Sequence, residues 1–175
     1  MAKILMVIGY DGFRDEEYFE PKVILEAAGH EVITTSKEKI AVSSVEKKEV
    51  HVDMLFDELF KENAKPEEEF DVIAFIGGAG AETYLNDKNA HKLSWDFYNN
   101  SKLVAAICLA PVILANAGLL VGKAATVWSG AKPQLCAGHC LYQSSGVITD
   151  GRIITASGPD KATEFGEAIL AKLQK

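Results

Sequence analysis

Three short runs dominated by apolar residues, 4–8, 70–76 and 103–107, each stop at a residue of unusual backbone or chemical character. Gly9 follows the first, Gly77-Gly78-Ala79-Gly80 the second, and Cys108 the third. A strand that is apolar at consecutive positions buries both faces, as in a parallel sheet covered by helices on each side. The segment after the first run supports that reading. Residues 15–28 place Phe19, Val23, Ile24 and Ala27 at helical spacing, with Asp15 as cap, Glu16 and Glu17 in the first turn and Gly29 as stop. Residues 30–35 then read as a second strand, which completes a strand–helix–strand unit of an α/β fold.

The third run carries the sharpest chemical signal. Ala106 and Ala110 stand two places before and two places after Cys108, and Pro111 opens a helix-like segment, 111–117. A strand that turns sharply into a helix crowds its backbone, and only small side chains fit those flanks; this is the steric logic of a nucleophile elbow. The turn pushes the central side chain out of the sheet, beside free N–H groups at a helix start. Those groups favour an anion, so a lowered pKa and thiolate character are expected of Cys108. The spacing leaves a second reading open, in which Cys108 is a small, buried, inert residue.

The remaining segments fill in the layers. Residues 40–44 and 50–52 read as two short strands, 55–60 as a helical turn or two, and 61–69, with its glutamates, as an exposed loop. Residues 82–98 read as a helix, 125–128 as a short strand and 131–137 as a helix that tolerates Pro133 near its start. A hairpin is expected over 147–149 and 153–155 around Asp150-Gly151, and a closing amphipathic helix over 159–173. No repeat or linker appears, so residues 1–175 are read as one domain. Open α/β sheets take ligands at the carboxyl ends of their strands. Three such ends carry chemistry here: the 9–17 turn, Gly77-Gly78 and Cys108.

Charge excludes some partners. A net charge of −7 on 175 residues, with no long basic run, argues against nucleic acid and against an anionic membrane surface. The early apolar run is too short for a membrane span or a signal peptide, so a cytoplasmic protein is expected. Three cysteines, an odd number, do not suggest a disulfide framework. Cys136, His139 and Cys140 lie close in sequence, but zinc sites want four ligands and no second pair is evident. No metal and no cofactor are expected.

At its three strand ends the chain resembles the DJ-1/PfpI family, within the class I glutamine-amidotransferase-like fold. The resemblance rests on four pieces in order. They are Glu17 with Pro21 and the stretch 25–32; residues 69–72 leading into Gly77-Gly78; Ala106-Ile107-Cys108 with Pro111; and Asp150-Gly151 with Thr155, Ser157, Gly158 and Pro159. It implies a flavodoxin-like three-layer α/β sandwich with a mostly parallel sheet and a small β-hairpin, assembled as a homodimer or larger homo-oligomer. Carried over by position, it makes Cys108 a nucleophilic or redox-active cysteine and Glu17 a carboxyl that approaches the sulfur. The backbone N–H groups of Gly78 and Leu109 become an oxyanion site. Gly77 and Trp128 line the pocket.

Two departures narrow what the resemblance implies. The peptidase-like branch of the family has a histidine directly after the cysteine, where this chain has Leu109; the branch nearer DJ-1 has one where this chain has Trp128. Glu82 falls where the peptidase-like branch supports its histidine, and here reads as an ordinary helix-start acid. None of His30, His51, His91 and His139 is expected at the site. Two functions follow from the resemblance. One is cysteine-dependent, glyoxalase-like or hydrolytic chemistry on small reactive carbonyls, with peptidase activity less supported. The other is a non-catalytic sensor whose Cys108 is oxidised. The expected partners are accordingly a small-molecule substrate or an oxidant.

Overall fold

The computed structural model describes residues 1–174. Strand β1 (Lys3–Val7) is followed by β2 (Asp11–Phe13), helix α1 (Asp15–Ala27) and β3 (Glu31–Ser36). Then come β4 (Ile40–Ser43), β5 (Glu49–His51), β6 (Met54–Leu55), the single-turn α2 (Pro66–Glu69) and β7 (Val72–Phe75). Helix α3 (Lys88–Asn99) leads to β8 (Leu103–Ile107), α4 (Pro111–Asn116), β9 (Ala124–Ala125) and α5 (Lys132–Ala137). The chain closes with β10 (Leu141–Tyr142), the hairpin β11 (Val147–Asp150) and β12 (Ile153–Ala156), and α6 (Ala162–Leu173).

Seven strands form the central sheet in the order β11-β12-β8-β7-β1-β3-β6, and every neighbouring pair is parallel except the hairpin β11–β12. Side chains alternate across it as the pleat requires. Ile4, Met6, Val72, Ala74, Ala105, Ile107 and Ile154 share one core with Tyr18 and Leu25 of α1 and Phe165 and Ile169 of α6. Leu5, Val7, Ile73, Phe75, Val104, Ala106 and Ile153 share the other with Leu93 and Phe97 of α3, Ile113 of α4 and Leu135 of α5. The mixed α/β architecture with a mostly parallel sheet is therefore the one expected. Strand order reverses beside β1: the chain goes first to β3 and then crosses to β7. That switch point opens a crevice at the carboxyl ends of β1 and β7, with Cys108 one strand further along.

Several local expectations are corrected. The buried face of α1 is Asp15, Glu17, Tyr18, Pro21 and Leu25, while Val23 is 63% exposed. A buried glutamate and proline occupy positions where the apolar pattern expected hydrocarbon. Asp15 does not cap the helix; its carboxylate accepts the Val45 and Glu46 N–H groups at 2.9 and 3.2 Å and ties down the β4–β5 turn. The helix expected over 82–98 is broken, because a 3-10 turn (Ala79–Tyr84) ends before Asp87, whose side chain caps α3 through Asn89 and Ala90. Pro66 starts a helical turn inside the expected 61–69 loop. The strand expected over 125–128 shrinks to β9, which pairs only with β10, and Trp128 lies in the loop beyond it.

Helix α6 lies against α1 through Gly166. A Cβ there would sit 2.9 Å from Pro21 Cα and 3.2 Å from Ile24 Cδ1. Gly166→Val is expected to push the two helices apart and lower the unfolding free energy by about 1–3 kcal/mol. Urea denaturation measures this, and an unchanged midpoint would show that the helix contact is not tight.

Candidate functional site

The site is built where three loops meet. Backbone packs on backbone at its base: a Cβ on Gly9 would sit 2.5 Å from Gly80, and one on Gly80 would sit 2.4 Å from the Asp11 carbonyl. The 9–17 segment and the 77–80 turn therefore interlock only because both are bare. Phe13 bridges Gly78, and the Arg14 N–H donates to the Gly77 carbonyl at 3.2 Å. Gly78 has φ +87°, and a Cβ there would meet the Gly12 carbonyl at 2.4 Å.

Cys108 follows β8 with φ +63°, a left-handed backbone that costs a non-glycine residue on the order of 1–3 kcal/mol. Its neighbours hold it there. The Cys108 N–H donates to the Ala156 carbonyl at 2.9 Å, and its own carbonyl accepts the Trp128 N–H at 2.9 Å. Both flanks, Ala106 and Ala110, are fully buried, as the crowding at an elbow requires. The backbone N–H groups of Gly78 and Leu109 act on the sulfur and draw its pKa down.

Beneath the sulfur lies Glu17, fully buried, with neither carboxyl oxygen in a well-formed hydrogen bond. The groups that pull its pKa down are the Cys108 thiol, the Arg14 guanidinium and the Gly77 N–H. Gly77 leaves the carboxyl and the thiol room: a Cβ there would lie 2.5 Å from Glu17 Oε2 and 2.6 Å from Cys108 Cβ. Burial pushes the Glu17 carboxyl up to about 7, against the pull of those groups. Glu16 behaves in the opposite way; Arg14 grips it at 2.7 Å and holds its carboxyl below the ordinary value.

The expectation of a lowered Cys108 pKa is overturned. Burial first, then the charge and hydrogen bond of Glu17, push the thiol up to about 12, and the two N–H groups only partly oppose this. The helix-start argument counted the N–H donors and left out the desolvation and the facing carboxylate. Each group raises or opposes the ionisation of the other, so the carboxyl and the thiol titrate as a pair.

A cavity of about 430 Å³ opens over this pair, lined by Glu17, Gly78, Cys108, Leu109 and Trp128 together with Arg14, Ser44, Ala79, Glu82 and Pro159. Every residue expected at the site meets here, with Gly77 directly below. Trp128 folds its ring over Gly130, where a Cβ would touch ring carbons at 2.3–2.6 Å, and forms an apolar wall. Arg14, Ser44, Ala79 and Pro159 were missed, and Glu82, expected only as a helix-start acid, lines the cavity as well. Arg14 and Pro159 belong to stretches already singled out, but Ser44 comes from the β4–β5 turn, brought in by its N–H bond to the Phe13 carbonyl at 2.8 Å, by the β2–β4 pairing and by the tie through Asp15. Among the described residues no histidine lines the cavity, and no three His, Cys, Asp or Glu side chains gather as a metal site. His91 Nε2 is bonded to the Leu85 carbonyl, and His30 Nδ1 accepts the Ala2 N–H. Among the described residues no helix is long and apolar enough to cross a membrane.

A doubly covered, mostly parallel sheet with a cysteine elbow beside a buried carboxyl defines a flavodoxin-like α/β protein with a thiol site at its switch point. The family is shown by comparison. The model of the DJ-1/PfpI family matches residues 2–172, and the chain belongs to that family. An uncharacterised protein of Methanocaldococcus jannaschii is 40% identical over 99% of this chain and 83% of its own length. Protein/nucleic acid deglycase 2 of Escherichia coli is 29% identical over 99% of both chains. A ThiJ/PfpI domain protein from Brachyspira murdochii superposes with a TM-score of 0.91 at 32% identity, covering 98% of this chain and 96% of its own.

The raised carboxyl has a consequence for stability. An acid whose folded pKa lies above its unfolded value favours the folded state when protonated, so stability falls as pH rises from about 4.5 towards 7. Glu17→Gln removes that titration. The variant is expected to be more stable than the parent at pH 8 by on the order of 3 kcal/mol, and to lose the advantage below about pH 4.5. Urea denaturation across this pH range decides it; equal stability at pH 8 would mean that burial does not strain the carboxyl.

Proposed function

We propose that this protein is a cysteine-dependent enzyme acting on small reactive carbonyl compounds, in glyoxalase-like or deglycase-type chemistry. The observation that carries the reading is the meeting, in one cavity, of the Cys108 sulfur, a buried carboxyl poised near neutrality, and two backbone N–H donors. Support comes also from relatives named deglycases that align over most of the chain.

The chemistry follows from the resting protonation. Cys108 is a thiol facing the Glu17 carboxylate. As the sulfur attacks an aldehyde carbon, the S–C bond forms, the carbonyl π bond opens onto oxygen, and the thiol proton passes to Glu17. The Gly78 and Leu109 N–H groups face the developing oxyanion. A base whose pKa lies near the working pH is well matched to this transfer. The Glu17 carboxyl returns that proton to the alkoxide, which gives the hemithioacetal and frees the carboxylate. With a 1,2-dicarbonyl such as methylglyoxal, the hemithioacetal then loses its C–H proton to the regenerated carboxylate. The ene-diol takes a proton back at the neighbouring carbon, and water cleaves the thioester to a 2-hydroxy acid. The sequence is redox-neutral and needs no cofactor. Cleavage of a peptide has less support, since an amide is a poor electrophile for a thiol held protonated at rest and no histidine is at hand. Sensing through oxidation of Cys108 has less support for the same reason, because the thiolate is the species that an oxidant attacks.

The test is methylglyoxal turnover. Cys108→Ser is expected to abolish it, and Glu17→Gln to lower kcat/KM by about 10²–10⁴-fold, the usual worth of a positioned base. The bell-shaped pH profile should have its acid limb near 7 in the parent protein and lose that limb in Glu17→Gln. Equal rates in parent and Cys108→Ser, or none in either, would overturn the proposal.

A further inference from the structure

The elbow is not the only place where this chain brings thiol chemistry together. Cys136 lies near the end of α5 and is exposed; Cys140 follows one turn later, half-buried and packed against the core. Between them the chain reverses. Gly138 N–H donates to the Leu135 carbonyl at 3.0 Å, His139 N–H donates to the Cys136 carbonyl at 3.0 Å, and His139 takes a left-handed φ of +56°. That reversal returns Cys140 to the helix end. Its sulfur donates to the Leu135 carbonyl at 3.5 Å. The Leu135 carbonyl belongs to the same planar peptide as the Cys136 nitrogen and Cα, so the Cys140 sulfur lies against the very peptide that carries Cys136. Burial, and then the charge that Cys136 bears when ionised, raise the Cys140 thiol pKa, which is a second sign that the two sulfurs feel each other.

We infer that Cys136 and Cys140 form a reversible redox pair, oxidised by hydroperoxides to an intramolecular disulfide, separate from the Cys108 site. Cys136 is the thiol an oxidant reaches first. Its thiolate attacks a peroxide oxygen, the S–O bond forms as the O–O bond breaks, and the departing oxygen leaves as water or an alcohol. The sulfenic sulfur is then attacked by Cys140; the S–S bond forms and the S–O bond breaks, with hydroxide leaving as water. Two thiols and one hydroperoxide thus give one disulfide, water and a second water or alcohol. Cys108 stays out of this reaction, since its proton is held between burial and a facing carboxylate. The bridge would clamp α5 to the start of β10. Helix α5 continues from the 3-10 turn behind Trp128, and β10 pairs with β9 just before it, so the clamp closes on the wall of the Cys108 cavity.

The test needs no variant to begin. One equivalent of hydrogen peroxide is expected to cost the intact chain about two mass units before alkylation, and iodoacetamide with peptide mapping then locates the change. Cys136 and Cys140 should be joined within one chain, Cys108 unoxidised, and dithiothreitol should restore all three thiols. In Cys140→Ser the reaction should stop at a Cys136 sulfenic acid that dimedone traps. Independently of any oxidant, the reduced protein should bind one equivalent of phenylarsine oxide, which requires two neighbouring thiols, and Cys136→Ser should lose that binding. Oxygen uptake at Cys108 while Cys136 and Cys140 stay reduced, disulfides formed only between chains, or no arsenical binding by the reduced protein would each overturn the inference.

Discussion

The contact between the buried Glu17 carboxyl and the Cys108 thiol sets terms that much of the molecule is arranged to meet. A carboxyl with both oxygens shut off from water must be reached by a helix that comes very close to the sheet end, and each layer gives up side-chain volume to allow it. Gly166 lets α6 lie against Pro21. Pro21 lacks an N–H, so the Glu17 carbonyl four residues earlier has no intrahelical donor. Glu17 then meets Gly77, and Gly77 meets Cys108, with no room for a methyl group at either glycine. From the outer helix to the sulfur runs one continuous line of residues chosen for what they lack.

This arrangement is expensive on the scale of a domain's stability. The left-handed backbone of Cys108 and the displaced pKa of Glu17 each cost on the order of a few kcal/mol, against a typical net stability of about 5–15 kcal/mol. What offsets them is the sheet. β7 and β8 are buried at every residue, and β1 from Ile4 onward, so the strands that end at the site are also the most deeply packed. Their rigidity keeps the elbow in a conformation that the local sequence would otherwise relax. Strain at the carboxyl ends and close packing along the strands are two parts of one design.

Much of this was legible in the sequence, and what was hidden was hidden for physical reasons. Consecutive apolar positions announced β1, β7 and β8, because burial on both faces needs no partner to be recognised. Ala106 and Ala110 announced the elbow, because crowding there acts over a few residues. Helix α1 was located, yet its inward face was misjudged. Glu17, Tyr18, Pro21 and Leu25 make the buried stripe, and a pattern built on hydrophobicity passes over a charged residue and a proline. Ser44 at the cavity and Asp15 beneath the β4–β5 turn depend on contacts between distant segments, which no local pattern encodes. The Cys108 pKa was misjudged for the same reason: the helix-start donors are local, while the burial that outweighs them, and the Glu17 carboxylate that adds to it, come from segments distant in the chain.

The absent histidine now takes on a definite meaning. An imidazolium beside the cysteine would hold a thiolate at rest, ready for weak electrophiles and for oxidants alike. A carboxylate in that role does the reverse. In the proposed mechanism it would accept the thiol proton only as a carbon–sulfur bond forms, so activation would wait for an electrophile strong enough to draw the sulfur in. Aldehydes meet that condition and amides do not. The same protection leaves Cys108 a poor target for peroxide. On the proposed reading, carbonyl chemistry falls to Cys108, enclosed between the sheet end and Glu17, and redox response to the exposed Cys136 with Cys140 folded back against its peptide.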